Sequence, residues 1–271
     1  MTIDKQIHAN IFNLPLWSAP FGLELLRHID YSGCKTILDI GVGDGFPSFE
    51  LSQRFDKKSV IYGIDVNDVS IKRLNEFILS NNIENVKILS ANAEKLPFLD
   101  ETFDLIVSNN GINNVENKEL AINECYRVIK PKSDFIFTFN LKDSLIQFYN
   151  IFKNVLLSLC LYNEIEDVDL HIQDKRPELS LMKKYLQNSN FSIIKIVENS
   201  FNMSFADSST FFNHYWIKKY FLPEWLKIVS PEHRAQVFKM IKNELDSQFQ
   251  NSFISFDIPF VCVKCRKKDD K

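Results

Sequence analysis

Between residues 35 and 140 the chain alternates short apolar runs with amphipathic stretches, and few folds can accept that pattern. The runs are KTILDIG (35–41), VIYGID (60–65), VKILSA (86–91), FDLIVS (103–108) and DFIFTF (134–139). Near-continuous apolar runs of this length suit strands covered on both faces. Helical patterns separate them. Phe46 to Phe55 carries Pro47 in its first turn, where a missing N–H costs nothing. NDVSIKRLNEFILSNN places Ile71, Leu74, Phe77 and Ile78 on one face, with Asp68 as the expected cap. ELAINECYRVI (119–129) stops before Pro131, because proline disfavours helix at the residue preceding it. Such alternation predicts an α/β architecture, with parallel strands joined by right-handed crossovers and helices on both faces.

Outside this stretch the alternation slackens. Residues 15–30 read as a short leader followed by a helix carrying Leu23, Leu26 and Ile29. An apolar helix is expected at 144–162, a second at 178–188, a sixth strand at 191–198, and helices through 206–250 broken near Pro223 and Pro231. The segment 254–265 reads as a last strand, whose Pro259 suits an edge or a bulge. The expected organisation is a leader and lid helix (1–34), a core (35–140), and the rest of the sheet with a helical insert at about 206–250 (141–271).

Charge and cysteine content narrow the function classes. Lys and Arg number 32 against 35 Asp and Glu, and the basic pairs at 57–58, 183–184 and 218–219 are scattered. Phosphate tracking needs clustered cations, so the balance argues against a nucleic-acid partner. The N-terminus shows no signal-peptide pattern, and VLLSLCLY (155–162) is far shorter than a membrane span. Five cysteines, an odd number, suggest reduced thiols and a cytoplasmic protein. Cys262 and Cys265 form a CxxC inside an apolar run with no second pair to complete a zinc site. The five histidines lack the i, i+4 pairing of a helix-borne site, and no metal is expected.

Glycine is scarce, 7 in the whole chain, yet Gly41, Gly43 and Gly45 fall within five residues where the first strand meets a helix. Backbone N–H groups and a positive helix end there can face a ligand. A dinucleotide fingerprint needs its third glycine one residue later, and Phe46 stands where a small residue is required. Asp39 and Asp44 would also repel a pyrophosphate. A phosphate-free ligand carrying a cation fits better.

Four separated segments extend that reading. Asp39-Ile40-Gly41-Val42-Gly43-Asp44-Gly45 resembles the glycine-rich first motif of the class I S-adenosylmethionine-dependent methyltransferases, in their small-molecule branch. Asp65, closing the second strand, resembles the acid that holds both ribose hydroxyls, and a carboxylate can accept two hydrogen bonds from a diol. Asn92-Ala93-Glu94-Lys95-Leu96-Pro97-Phe98 is similar to the family's adenine-reading stretch. Asn92 stands there where the family has Asp, and the next backbone N–H is that of Ala93. Phe103 to Asn109 resembles the fourth strand, ending with Asn109 below the methionine moiety. The resemblance implies a Rossmann-like methyltransferase fold with a seven-stranded, mostly parallel sheet and an antiparallel last strand. It also implies S-adenosylmethionine as cofactor and S-adenosylhomocysteine as product. The implied activity is methyl transfer to oxygen, nitrogen or carbon of a small apolar or aromatic metabolite. Two alternatives remain open: a cofactor-binding protein without catalysis, and a nucleic-acid methyltransferase.

Acceptor-side residues are expected outside the core. In the family the leader folds over the cofactor, which places Trp17 near the sulfonium and Phe21 near the acceptor. Both rings could equally staple the first helix. Nine of the 25 residues in 201–225 are aromatic, so this segment reads either as a lid lining an acceptor pocket through Phe211 and Trp216, or as the insert's own core. His214 and Tyr215 are the candidate bases, with His171 third. Asn113 and Asn114 follow the fourth strand and could orient a polar acceptor. Asp44 could cap the helix at Pro47 or touch ligand, and Glu94 reads as a solvated or capping residue.

Overall fold

A computed structural model describes residues 17–250 and 252–269; the leader before Trp17, with Pro15 and His8, and the last residues of the basic tail lie outside the described residues. The chain divides into two units. The first takes the described residues up to Asn140, then Pro177–Asn199, then Phe260 onward; the second takes Leu141–Arg176 and Ser200–Pro259.

The apolar runs of the first unit become strands: β1 (Thr36–Ile40), β2 (Val60–Asp65), β3 (Val86–Ser90), β4 (Phe103–Asn109) and β5 (Ile129–Asn140). They join β6 (Phe191–Phe205) and β7 (Ile254–Lys267) in one sheet of order β3-β2-β1-β4-β5-β7-β6. β1 pairs in parallel with β2 (Ile37 opposite Ile61) and with β4 (Ile37 opposite Leu105), while β7 runs antiparallel to β5. Ile37, Leu38, Ile61, Ile106, Val107 and Ile136 are fully buried, as the continuous apolar runs required. The helices of this unit are α1 (Ala19–Leu26), α2 (Ser48–Arg54), α3 (Asp68–Ser80), α4 (Lys118–Val128) and α7 (Leu179–Asn188).

Several local expectations are corrected. The cap of α3 is Asn67, whose side chain accepts the N–H groups of Val69 and Ser70; Asp68 is already helical. Pro131 lies inside β5, not between helix and strand. Ile129 pairs with Phe103, the register then shifts, and pairing resumes at Leu105 opposite Asp134. Lys132, at φ 63, absorbs the extra residues of that bulge. Pro259 is not on an edge strand, because β7 lies between β5 and β6. Its ladder to β5 ends at Phe260, so the missing N–H falls beyond that pairing.

The second unit contains α5 (Ile146–Ser158), α6 (Tyr162–Lys175), α8 (Ser208–Asn213), a π-helical stretch (Ile217–Phe221), α9 (Leu222–Ile228) and α10 (Pro231–Gln248). α6 was not expected, and β6 runs seven residues past the predicted Glu198, to Phe205. Rings fill the unit. Phe148 stacks on Trp225 with centroids 4.1 Å apart, and Phe211 meets Phe148 at 5.5 Å and Phe256 at 5.0 Å. Phe148, Phe211, Trp225 and Phe256 are all fully buried.

Candidate functional site

In an open parallel sheet, ligands bind beyond the carboxyl ends of the strands where the strand order reverses. Here that point lies between β1 and β4, because β1 leads outward to β2 on one side and neighbours β4 on the other. The loops after β1 and β4 meet there. A Cβ on Gly41 would lie 2.8 Å from Gly111 Cα, and one on Gly111 would lie 2.3 Å from the Ile40 carbonyl oxygen. Only glycine permits this approach.

The glycine loop leaves β1 with Gly41, Gly43 and Gly45 at φ 75, 53 and 99. L side chains rarely adopt such angles. The N–H groups of Gly41 and Val42 both reach the Ile64 carbonyl, at 2.9 and 3.0 Å, which ties the loop to the end of β2. Gly43 differs from its neighbours. A Cβ there would find no atom of the described residues nearer than 3.8 Å apart from its own chain neighbours, so its face is open. The Gly43 N–H donates to Asp65 Oδ2 at 2.9 Å, while Asp65 Oδ1 accepts the Asn67 N–H at 3.0 Å. Each carboxylate oxygen thus carries one backbone amide and keeps further lone-pair capacity.

Asp39 is fully buried on β1. Its Oδ2 accepts the Ser48 hydroxyl at 2.6 Å, and its Oδ1 has no partner among the described residues. Burial pushes its carboxyl up to about 7, opposed by the Ser48 hydrogen bonds and aided by the nearby Asp65 charge. Asp44 neither caps α2 nor stands free. It pairs with Arg73 of α3, and the α2 cap position is Pro47 with no side-chain bond.

The segment after β3 is held from α4. Arg127 donates to the carbonyls of Phe98 and Leu96 at 2.8 and 3.1 Å, and Glu124 accepts the Leu96 N–H at 2.7 Å. Hydrogen bonding from Arg127 holds the Glu124 carboxyl below its ordinary value. Asn92 is exposed and its Oδ1 turns back to accept the Glu94 N–H at 2.8 Å; Ala93 is buried. Glu94 accepts the N–H of Asn117, the cap of α4, at 2.8 Å.

An amide cluster sits at the ends of β4 and β5. Asn109 accepts from Thr138 Oγ1 and donates to the Ser18 carbonyl, both at 3.1 Å. Asn113 Nδ2 donates to Asn110 Oδ1 at 2.8 Å and to Asn140 Oδ1, and its own Oδ1 is buried without a partner. Asn114 is exposed. Trp17 and Phe21 are both buried, 5.7 Å apart, and Phe21 packs on Phe260 at 4.8 Å.

The other predicted residues belong to the second unit. His214 packs edge-on to Phe205 at 5.4 Å, its Nδ1 is buried and unpartnered, and burial lowers its pKa. Tyr215 accepts from Lys219 Nζ at 2.9 Å, and Trp216 stacks on Tyr220 at 4.6 Å. Phe211 sits in the ring core. Cys262 and Cys265 are buried on β7, and burial raises both thiols, Cys262 to about 12. Among the described residues no group of three or more His, Cys, Asp or Glu gathers as a metal site. Gly111, Arg73, Glu124 and Arg127 went unread in the sequence. Gly111, two residues past the fourth strand in a glycine-poor chain, was the available signal.

A family model described as a methyltransferase domain matches residues 32–219. The ubiquinone/menaquinone biosynthesis C-methyltransferase UbiE of Citrobacter koseri is 39% identical over 107 residues, covering 38% of this chain and 43% of that protein. UbiE of Blochmanniella pennsylvanica is 26% identical over 188 residues, covering 65% and 71%. The YcgJ protein from Bacillus subtilis shares the fold with a TM-score of 0.62 at 16% identity, over 92% of this chain and 98% of that one. The chain spans 43% of the length of the first of these curated relatives.

Proposed function

This chain belongs to the methyltransferase-domain family, and from that premise we infer that it binds S-adenosylmethionine at the glycine loop and methylates a small apolar or aromatic metabolite. The observation that carries the reading is the open face of Gly43 beside a carboxylate already fixed by two backbone amides.

The residues present fit that cofactor. Asp65 would take the ribose diol on its remaining lone pairs. The unpartnered Asp39 Oδ1 favours a cationic group or a water that relays to one. Ala93 N–H and Asn92 would meet the adenine edge, and Asn109 would lie under the methionine portion. S-adenosylmethionine supplies a methyl group already activated on a sulfonium. The chain's task is therefore alignment and exclusion of water. A proton must be removed only where the acceptor atom carries one. For that role His214, kept neutral by burial, is the first candidate and Tyr215 the second.

The curated relatives are named as C-methyltransferases, which favours carbon among the possible acceptor atoms. Within the amide cluster, the bare Asn113 Oδ1 would accept a hydrogen bond from a polar substituent of the acceptor. The stacked Trp216 and Tyr220 offer apolar ring faces in the second unit. A cytoplasmic setting belongs to the same reading: the five cysteines form no disulfide, and no helix among the described residues is long and apolar enough to cross a membrane.

Calorimetry with S-adenosylmethionine, S-adenosylhomocysteine and a nicotinamide dinucleotide tests the cofactor. Binding of the first two and not the third is expected; the reverse ends the reading. Labelled methyl transfer into a panel of phenols and quinols then tests the acceptor class, and an absence of turnover with intact binding would leave a non-catalytic binder.

A further inference from the structure

The second unit buries a cation without giving it an anion. Arg176, the residue that closes α6, is 2% exposed. Among the described residues no carboxylate pairs with it, and its Nε and Nη1 are buried with no acceptor. Among the described residues its guanidinium is partnered by Tyr149, whose hydroxyl accepts from Nη2 at 2.9 Å, with the guanidinium carbon 4.8 Å from the ring centroid.

That hydroxyl has nothing further to offer. It also accepts the Trp225 indole N–H at 3.0 Å, which fills its second lone pair. Its proton is left for His171 Nε2, 3.3 Å away. Burial and the neighbouring Arg176 charge push His171 down to about 4, so the ring is neutral and Nε2 accepts. The cluster therefore holds no acceptor for the N–H on Nε or the two on Nη1. Stacking on one ring offsets only part of what a guanidinium loses on leaving water, and the rest calls for an anion at hydrogen-bond distance.

We propose that Arg176 is the recognition group of a small-oxyanion site within the second unit, taking a carboxylate or a phosphate whose attached body is apolar. The planar guanidinium fork matches either group, which a simple halide cannot exploit. The buried Phe148 and Trp225 beside Tyr149 make the surroundings of the cluster apolar. The inference goes beyond methyl transfer: Arg176, Tyr149 and Trp225 take no part in the proposed cofactor site, and His171, the third candidate base, is engaged by the Tyr149 hydroxyl instead.

Thermal melts of the full chain, at constant ionic strength with chloride as reference, test it with benzoate, phenyl phosphate and inorganic phosphate as probes. A saturable rise of several degrees with one or more of them is expected. Benzoate alone assigns a carboxylate, and the phosphates alone assign a phosphate. Arg176→Met should abolish the rise while melting no lower than wild type in chloride, because it removes an unpaired charge and keeps a similar volume. Wild-type melts that do not distinguish the oxyanions from chloride overturn the proposal. So does an Arg176→Met protein that still responds. If Arg176→Met does not fold, Tyr149→Phe decides: it removes the guanidinium's protein acceptor, so the oxyanion rise should grow, and an unchanged or smaller rise counts against the site.

Discussion

Each unit buries an ionisable side chain that keeps unpartnered polar atoms, and the two solve the problem differently. Asp39 in the first unit has one oxygen on Ser48 and one bare, and it can relieve the strain of burial by holding a proton. Arg176 in the second unit has no such exit, because arginine keeps its charge in any protein setting. The supporting structures differ as well. Around Asp65 the anchors are backbone amides from the loops after β1 and β2, and Asp39 is held by the hydroxyl of Ser48. Around Arg176 they are rings and an imidazole from residues 149, 171 and 225. A site anchored largely on backbone amides is stiff, whereas one made of distant side chains exists only while the unit's packing persists.

The largest test of that contrast is Phe211→Ala. A fully buried ring lost from the second unit should cost about 3–5 kcal/mol in denaturant titration. Calorimetry on the folded variant should find S-adenosylhomocysteine affinity unchanged. A loss below about 1 kcal/mol would show that the rings are not that unit's support. Next comes Gly111→Ala, whose methyl would press on the Ile40 carbonyl; overpacking there should cost about 1–3 kcal/mol and weaken the cofactor analogue sharply. Gly33→Ala is the comparison. Unlike Gly111, it sits at positive φ, but with open space around it, so only backbone strain of about 1 kcal/mol is expected.

Asp65→Ala should weaken S-adenosylhomocysteine by roughly 10- to 100-fold in calorimetry, the equivalent of about 1.5–3 kcal/mol for hydrogen bonds to a charged acceptor. The last test is a slope with pH. The carboxyl of Asp39 titrates near 3.8 when unfolded and at about 7 when folded. Folding therefore favours its protonated form. That contribution is whole below pH 3.8 and is lost as pH rises through about 7, at up to about 1.4 kcal/mol per pH unit. Asp39→Asn should flatten this part of the stability profile, and an unchanged profile would mean that another group controls it.

The first unit was far more legible than the second. Its strands are continuous apolar runs, and its ligand loop is a cluster of glycines in a glycine-poor chain, so period and composition sufficed. What escaped there needed three dimensions: Arg73 reaching Asp44 across 29 positions, and Arg127 pinning the carbonyls of Leu96 and Phe98. The α3 cap was misplaced by one residue because Asn67 and Asp68 carry equivalent capping chemistry. In the second unit, α6 hid because its acidic YNEIEDVDLHIQDK pattern has only Val168 and Ile172 fully on the buried side. The distal part of β6 does alternate at Phe201, Met203 and Phe205, but the surrounding aromatic density drew it into the helical insert. Arg176 could not be read at all, since nothing local marks a cation as buried.

The two amides lodged on Asp65 have one more consequence. A carboxylate gripped at both oxygens by its own backbone cannot swing to follow a ligand, so little rotamer freedom is left to lose on association. Such an anchor rewards a vicinal diol of the right pitch, and a deoxy-sugar analogue, with one hydroxyl missing, would meet a partner unable to reposition itself in compensation.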